Sequence, residues 1–374
     1  MMPLPPTNWP KRMASRLLIG LFFLIIWLPT LDTFFHLDRR LLLTENNLPA
    51  TFPKYAAKPG GLKEFLTGLD TYFNDHFGFR QRLVHWHNEL EASVFAAPSV
   101  LNVFIGQNGF LFYAGDQMID NFQGVLPFTT QELRHHQLQL EQYRDWLARR
   151  GISYIFVVAP DKQSIYPEYV APWLKPGNRR TKLDQFVDYM RDHSTVTVLD
   201  LRSALLAAKR VAPTYYKSDT HWNTFGGFVG SQEIVKALPD KSRLPSLSLD
   251  SFELKQRDFT NGDLARMLGI VAPEEDFIWA PKTNLPPLNL ARYDDKSAIP
   301  WEVTTNLSTT GTCVVFGDSF REALTPFLGY HFNRVIYYFE LHGFNTNAVN
   351  TIKPDVVITE VVERHLDFNL LFKD

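Results

Sequence analysis

Five short runs rich in apolar residues, most of them continuous where a half-buried strand would alternate, set the strongest limit on what this chain can fold into. They are Ser153–Ala159 (SYIFVVA), 195–201 (TVTVLDL), 312–316 (TCVVF), Arg334–Phe339 (RVIYYF) and 354–360 (PDVVITE). Successive side chains of a strand point to opposite faces, so a run that is apolar throughout needs cover on both. The stretches between them carry helical spacing. In 131–150, Leu133, Leu138, Leu140, Tyr143 and Leu147 are interspersed among polar residues, and Gly151 follows as a C-cap candidate. Residues 183–192 and 345–352 predict further helices. Alternation of this kind specifies an α/β fold, a mostly parallel sheet with helices on both faces. The chain has 374 residues, 45% hydrophobic and 21% charged, enough for one large core or two smaller ones. A formal net charge of −2, with no basic cluster beyond the N-terminus, argues against a nucleic-acid partner. The single cysteine, Cys313, sits in an apolar strand and reads as a core residue.

The N-terminus fixes a compartment. Leu17 to Leu31 contains no charged residue, follows Lys11, Arg12 and Arg16, and continues through Phe34 and Phe35. Such a segment enters a membrane, and no small-x-small cleavage pattern follows it. The expected layout is a cytoplasmic basic leader over 1–16, a transmembrane signal anchor over 17–36, a linker over 37–60 and one domain over 61–374. That places a single anchor in the bacterial inner membrane and the domain in the periplasm. Within the domain, 61–97 predicts an amphipathic helix, and Val103–Tyr113 a hairpin around Gln107-Asn108-Gly109. Residues 240–310, rich in proline, predict an irregular insertion.

Chemistry concentrates at two places. Gly317-Asp318-Ser319 joins a buried strand to a helix, so Ser319 is presented at a helix N-terminus, where backbone N–H groups lack intrahelical partners and face any developing oxyanion. A hydroxyl needs a base to become a nucleophile. His221 is the best candidate, with Asp219 two residues before it to fix its tautomer; the alternative is that Asp219 caps locally and His221 packs beside Trp222. Asn261-Gly262-Asp263-Leu264 either brings another carboxylate to the site or simply makes a turn and a helix cap.

The order of strand, GDS turn, helix, strand, helix and PDVVI strand resembles the opening half of the SGNH hydrolase fold, with the Asp-x-His block moved ahead of the serine. With YFNDHFGFRQRLV at 72–84, VFIGQNGFLFY at 103–113, PDKQSIYPE at 160–168, YYKSDTHWN at 215–223, NGDLARML at 261–268 and KPDVVITEVVERHL at 353–366, the chain resembles the bacterial exopolysaccharide O-acetyltransferases. These are the alginate and cellulose O-acetylation proteins, whose SGNH-like domain is circularly permuted. The resemblance implies Ser319 as nucleophile, His221 as general base and Asp219 as its orienting carboxylate. It also implies acetyl transfer to a polysaccharide, a multi-spanning membrane acyltransferase as acetyl donor, and other synthesis proteins as partners. Counting from Pro354, the place of the usual oxyanion asparagine falls near Glu363 and Arg364. Arg364 is thus either an oxyanion cation, alongside the Ser319 N–H and Gly343, or half of a surface ion pair with Glu363. Trp222, Tyr215 and Tyr216 are candidates to stack on a sugar ring, though core packing is expected for at least two of them. No cofactor or metal is expected, nor a carbohydrate-binding module after Asp374. A carbohydrate esterase with the same triad and a non-catalytic polysaccharide-binding scaffold are the competing functions.

Overall fold

The apolar runs form neighbouring strands of one sheet. The computed structural model describes residues 9–35, 50–55, 61–79, 102–175, 179–238, 244, 247–259, 262–272, 274–282, 285–292, 301–305, 311–340, 343–367 and 371–373. Contacts divide the chain into two units, residues 1–99 with 266–270, and residues 100–265 with 271–374.

In the first unit, a helix spans Trp9–Phe35. Its Ala14–Asp32 segment, with mean hydropathy 1.9 and none of it buried, is long and apolar enough to cross a membrane. A second helix spans Gly61–His76. The helix expected over 61–97 ends at His76, with a turn at 78–79 where Phe79 takes a left-handed φ of 59°; residues 80–97 lie outside the described residues, as does most of the 37–60 linker.

The second unit opens on the expected hairpin. Strands β1 (Val103–Ile105) and β2 (Leu111–Tyr113) pair antiparallel, and the turn puts Asn108 and Gly109 at φ 56° and 77°, the left-handed conformations these two residues tolerate best. Then come β3 (Ser153–Ala159), β4 (Val198–Asp200), β5 (Phe252–Phe259), β6 (Glu274–Pro281), β7 (Asn289–Arg292), β8 (Trp301–Thr304), β9 (Thr312–Gly317), β10 (Arg334–Phe339), β11 (Gly343–Asn345), β12 (Val356–Val362) and β13 (Leu371–Lys373). The main sheet runs β4-β3-β12-β9-β10-β8-β7. Its first five strands are parallel, and β8 and β7 continue it antiparallel. Region 240–310 is therefore no irregular insertion. It completes one edge of the sheet with β7 and β8 and adds a two-stranded β5–β6 ribbon. Glu253, Leu254, Lys255, Gln256 and Arg257 in the ribbon are all exposed, so these strands never carried the continuous apolar signal of the sheet centre.

Alternate residues of the central strands feed two cores. Tyr154, Phe156, Val158, Val314, Phe316, Ile336 and Val357 pack with Leu140, Tyr143 and Leu147 of the helix Thr130–Ala148 and with Phe186 of the helix Lys182–His193. On the other face Ile155, Val157, Cys313, Val315, Val335 and Ile358 pack with Leu205, Ile234, Phe320 and Leu324. Cys313 is buried, and that burial pushes its thiol up. In register, Ala159 lies opposite Val362 and Gly317 opposite Glu360, so β3, β12 and β9 end together. The carboxyl edge of adjacent parallel strands is where α/β sheets gather functional loops.

Candidate active site

Three loops leave that edge. After β9, Asp318 takes an extended conformation and caps the 3₁₀ turn Ser319–Leu324: its Oδ1 accepts from Phe320 N–H at 2.9 Å, while Oδ2 accepts from Val362 N–H at 2.8 Å, tying the turn to β12. Ser319 is the first residue of the turn, with its N–H ahead of the helical ladder. Behind it, the helix Thr224–Ala237 is capped by the Asn223 side chain. A Cβ on its Gly227 would stand 2.2 Å from the Ala323 carbonyl oxygen, so only glycine lets this helix approach the nucleophile turn so closely.

The loop entering that capped helix carries Asp219 and His221. His221 Nε2 lies 2.7 Å from Ser319 Oγ, and its Nδ1 lies 2.7 Å from Asp219 Oδ1, which also accepts from the His221 backbone N–H at 2.9 Å. With Nδ1 donating to the carboxylate, Nε2 is left as the acceptor that faces the serine hydroxyl. Burial would lower the imidazole's proton affinity, but the hydrogen bond and charge of Asp219, with Asp263 close by, outweigh it and hold the group above its ordinary 6.5. Burial works in the opposite direction on Asp219, and the contact with His221 overcomes it, bringing that carboxyl down to about 2. Asp219, His221 and Asp263 have ligand-type atoms within 4.8 Å of one another. Both imidazole nitrogens are already engaged within the chain, however, which describes a proton relay and not an open coordination site.

The family model described as "SGNH hydrolase-like domain, acetyltransferase AlgX" matches residues 103–348. The chain belongs to this family. The matched range runs from β1 into the helix Thr346–Ile352 and contains the serine turn and the histidine loop. A relative in Pseudomonas syringae pv. tomato, "Probable alginate O-acetylase AlgJ", is 28% identical over 105 residues, covering 28% of this chain and 27% of that one. The match thus spans little more than a quarter of the relative. Among solved structures, Bacillus cereus PatB1 with a sulfonyl adduct superposes with a TM-score of 0.54 at 14% identity, over 70% of this chain and 95% of that one. The O-acetyltransferase domain of Pseudomonas putida AlgJ gives a TM-score of 0.46 at 20% identity, over 72% and 94%.

Other predicted residues of the second unit fall in different places. Arg364 is not in a surface pair with Glu363. It is buried, donates to Asp161 Oδ1 at 2.5 Å and holds its guanidinium 5.4 Å from the rings of Tyr113 and Phe320, the latter adjacent to Ser319. Glu363 instead accepts from Asp161 N–H and Ser164 Oγ, and burial pushes its carboxyl up to about 7. Gly343 pairs with Leu371 in the β11–β13 sheet; no described contact joins it to the triad. Trp222 and Tyr215 are buried core residues. The indole N–H of Trp222 donates to the Phe320 carbonyl at 2.8 Å, and the Tyr215 hydroxyl donates to the Pro160 carbonyl. Neither offers a sugar platform. Tyr216 is half-buried and stacks on Phe259 at 4.3 Å, with Arg257 donating to its hydroxyl.

Two supports of the histidine loop went unread in the sequence. Lys162, first residue of the short helix Lys162–Ile165 after β3, is buried, and its Nζ donates to the carbonyls of Tyr216, Lys217 and Asp219 at 3.1, 3.1 and 2.6 Å. Burial lowers its ammonium to about 8. Glu274 at the start of β6 accepts from the backbone N–H groups of Lys217 and Ser218 at 2.7 and 2.9 Å. The stretch PDKQSIYPE held the signal for Lys162, since a lysine directly after a buried strand and its Pro-Asp break is an expensive residue to bury without a purpose.

Proposed function

We propose that this chain is a membrane-anchored O-acetyltransferase that places acetyl groups on hydroxyls of an exopolysaccharide through an acetyl-Ser319 intermediate. The observation that carries the reading is the relay from Ser319 Oγ to His221 Nε2 and from Nδ1 to Asp219, each link 2.7 Å. Ser319 Oγ attacks the acetyl carbonyl carbon as its proton passes to Nε2. The tetrahedral intermediate expels the donor's oxygen, which leaves with that proton, and acetyl-Ser319 remains. A sugar hydroxyl then gives its proton to Nε2 and attacks the same carbonyl carbon. Collapse of this second intermediate returns the proton to Ser319 Oγ and releases the sugar acetate. Oxyanion stabilisation falls to the Ser319 N–H at the start of its turn, with the buried charge of Arg364 beside it.

The apolar helix Trp9–Phe35 supports an anchor in the inner membrane with the catalytic domain in the periplasm. There the acetyl donor arrives from a multi-spanning acyltransferase and the acceptor from the synthesis machinery. Alginate is the favoured polymer class, following the name of the Pseudomonas syringae relative. Tyr216 and Phe259, stacked and half-buried beside the histidine loop, are the aromatic surface this reading assigns to the sugar.

The deciding experiment incubates the full chain with an activated acetyl ester and a panel of oligosaccharides, and follows acetate and acetylated sugar by mass spectrometry for wild type and Ser319→Ala. Acetylated sugar that disappears in the Ala variant is the expected result. Acetate release that does not respond to sugar converts the reading to an esterase, and the lack of any Ser319-dependent product removes the enzyme reading.

A further inference from the structure

We propose that Asp263 is a positioning residue for His221, a second carboxylate that fixes the imidazole's loop and stabilises the imidazolium formed when Ser319 gives up its proton. The inference rests on His221 being that proton acceptor. Asp263 Oδ2 stands 3.6 Å from His221 Nδ1, on the same edge of the ring as Asp219 Oδ1 at 2.7 Å. Its Oδ1 accepts from Thr220 N–H at 2.6 Å, and its own N–H donates to Asp219 Oδ2 at 2.9 Å. Asp263 thus touches every residue of the Asp219-Thr220-His221 segment. The turn leading to it is equally constrained: a Cβ on Gly262 would lie 2.2 Å from the Ser218 carbonyl carbon, and the Ala265 N–H donates to Ser218 O at 3.1 Å. A turn and a helix cap, the plainer reading of Asn261-Gly262-Asp263, account for neither the placement of Oδ2 nor the bond to Asp219.

Two carboxylates beside one neutral imidazole repel each other; proton transfer to that imidazole places a positive charge next to both, which attracts each and offsets their mutual repulsion. The groups facing the ring are Asp219 and Asp263, Ser319 from the nucleophile turn, and Arg364 from the segment after β12, whose charge opposes protonation. Lys162, behind the loop, acts on both carboxylates and offsets part of their charge. Burial and the neighbouring Asp219 push the Asp263 carboxyl up, the direction expected of the outer member of such a pair.

The test is a titration that needs no turnover. Full-length protein labelled at histidine ring nitrogens, with the His221 signal assigned by its loss in His221→Gln, is titrated by NMR for wild type, Asp263→Asn and Asp263→Glu. The expected midpoint falls by roughly one pH unit in Asp263→Asn and less in Asp263→Glu, and the acid limb of the pH–rate profile for an acetyl ester moves with it. An unchanged midpoint in folded Asp263→Asn overturns the proposal, as does a wild-type midpoint at or below 6.5. If the Asn variant does not fold, Asp263→Ser, which keeps a hydroxyl for the Thr220 N–H but no charge, decides: a midpoint below wild type supports the role and one equal to wild type removes it. A shifted midpoint with no ester turnover keeps Asp263 in this role and removes the acetyl-transfer reading instead.

Discussion

At the scale of single residues, the second unit keeps several charges inside and treats them differently. Arg364 is held charged by its contact with Asp161, and burial alone, which opposes that, does not win. A fixed cation next to the nucleophile turn is worth most in the transition state, when the carbonyl oxygen becomes negative. Arg364→Ala is therefore expected to lower kcat for an acetyl ester by roughly ten- to a hundredfold with little change in KM. Unchanged turnover in a variant with a wild-type melting curve would remove Arg364 from the oxyanion environment. Glu360 is the opposite case. It is completely buried on β12, and burial, with Asp318 nearby, pushes its carboxyl well above the usual 4.5, so folding disfavours its charged form. A group whose pKa is raised on folding stabilises most below its unfolded value and loses that contribution as pH climbs toward the folded one. Each pH unit in that window costs the wild type up to about 1.4 kcal/mol, a cost that Glu360→Gln does not bear. The Gln variant should match wild type in thermal melts near pH 4.5 and melt higher at pH 8. A wild-type advantage that grows with pH would mean Glu360 is ionised in the native state.

At the scale of elements, the histidine loop is set by tertiary contacts more than by its own sequence. The three ammonium donors of Lys162 are matched by three carbonyls of the loop, and Leu111 N–H of β2 donates to the Lys217 carbonyl at 2.9 Å from the other side. Lys162→Met removes the shared donor of three carbonyls, of which that of Lys217 keeps the Leu111 N–H, and each one left unsatisfied costs about 1–3 kcal/mol if it stays buried. The loop is expected to rearrange, seen as a lower melting temperature together with a large loss of Ser319-dependent ester turnover. Arginine should not rescue it, because a planar fork cannot reproduce three donors on one compact head. Retained turnover in Lys162→Met would show that the loop holds itself. This dependence explains what could be read in advance. β3, β9, β10 and β12 were legible because burial on both faces leaves a continuous apolar signature, and Ser319, Asp219 and His221 because their residue types and local spacing are those of a nucleophile, a carboxylate and a base. Lys162, Glu274 and the inward placement of Arg364 were not, since each meets its partner across a long stretch of chain. The ribbon and β7–β8 escaped for a different reason. They are antiparallel, β5 and β7 are largely exposed, and their proline-rich connections resemble loops.

At the scale of the whole molecule, the residues of the candidate site and the apolar N-terminal helix belong to different units. Ser319, His221, Asp219, Asp263, Lys162 and Arg364 all fall within residues 100–265 and 271–374, a unit whose main sheet has a core on each face. The apolar helix Trp9–Phe35 belongs to the other. None of the described hydrogen bonds that form the relay originates in residues 1–99. Removing residues 1–35 should accordingly move the protein from the membrane fraction to the soluble one while leaving Ser319-dependent hydrolysis of a small acetyl ester unchanged. Acetylation of the cell's polymer should fall sharply even so, because the freed domain loses its high local concentration at the membrane where the donor is delivered. Fractionation, ester turnover and acetyl content of the polymer, measured in parallel, separate these effects. Loss of ester turnover in the truncated chain would mean that the first unit shapes the site. Full polymer acetylation by the soluble form would mean that the acetyl donor is not confined to the membrane.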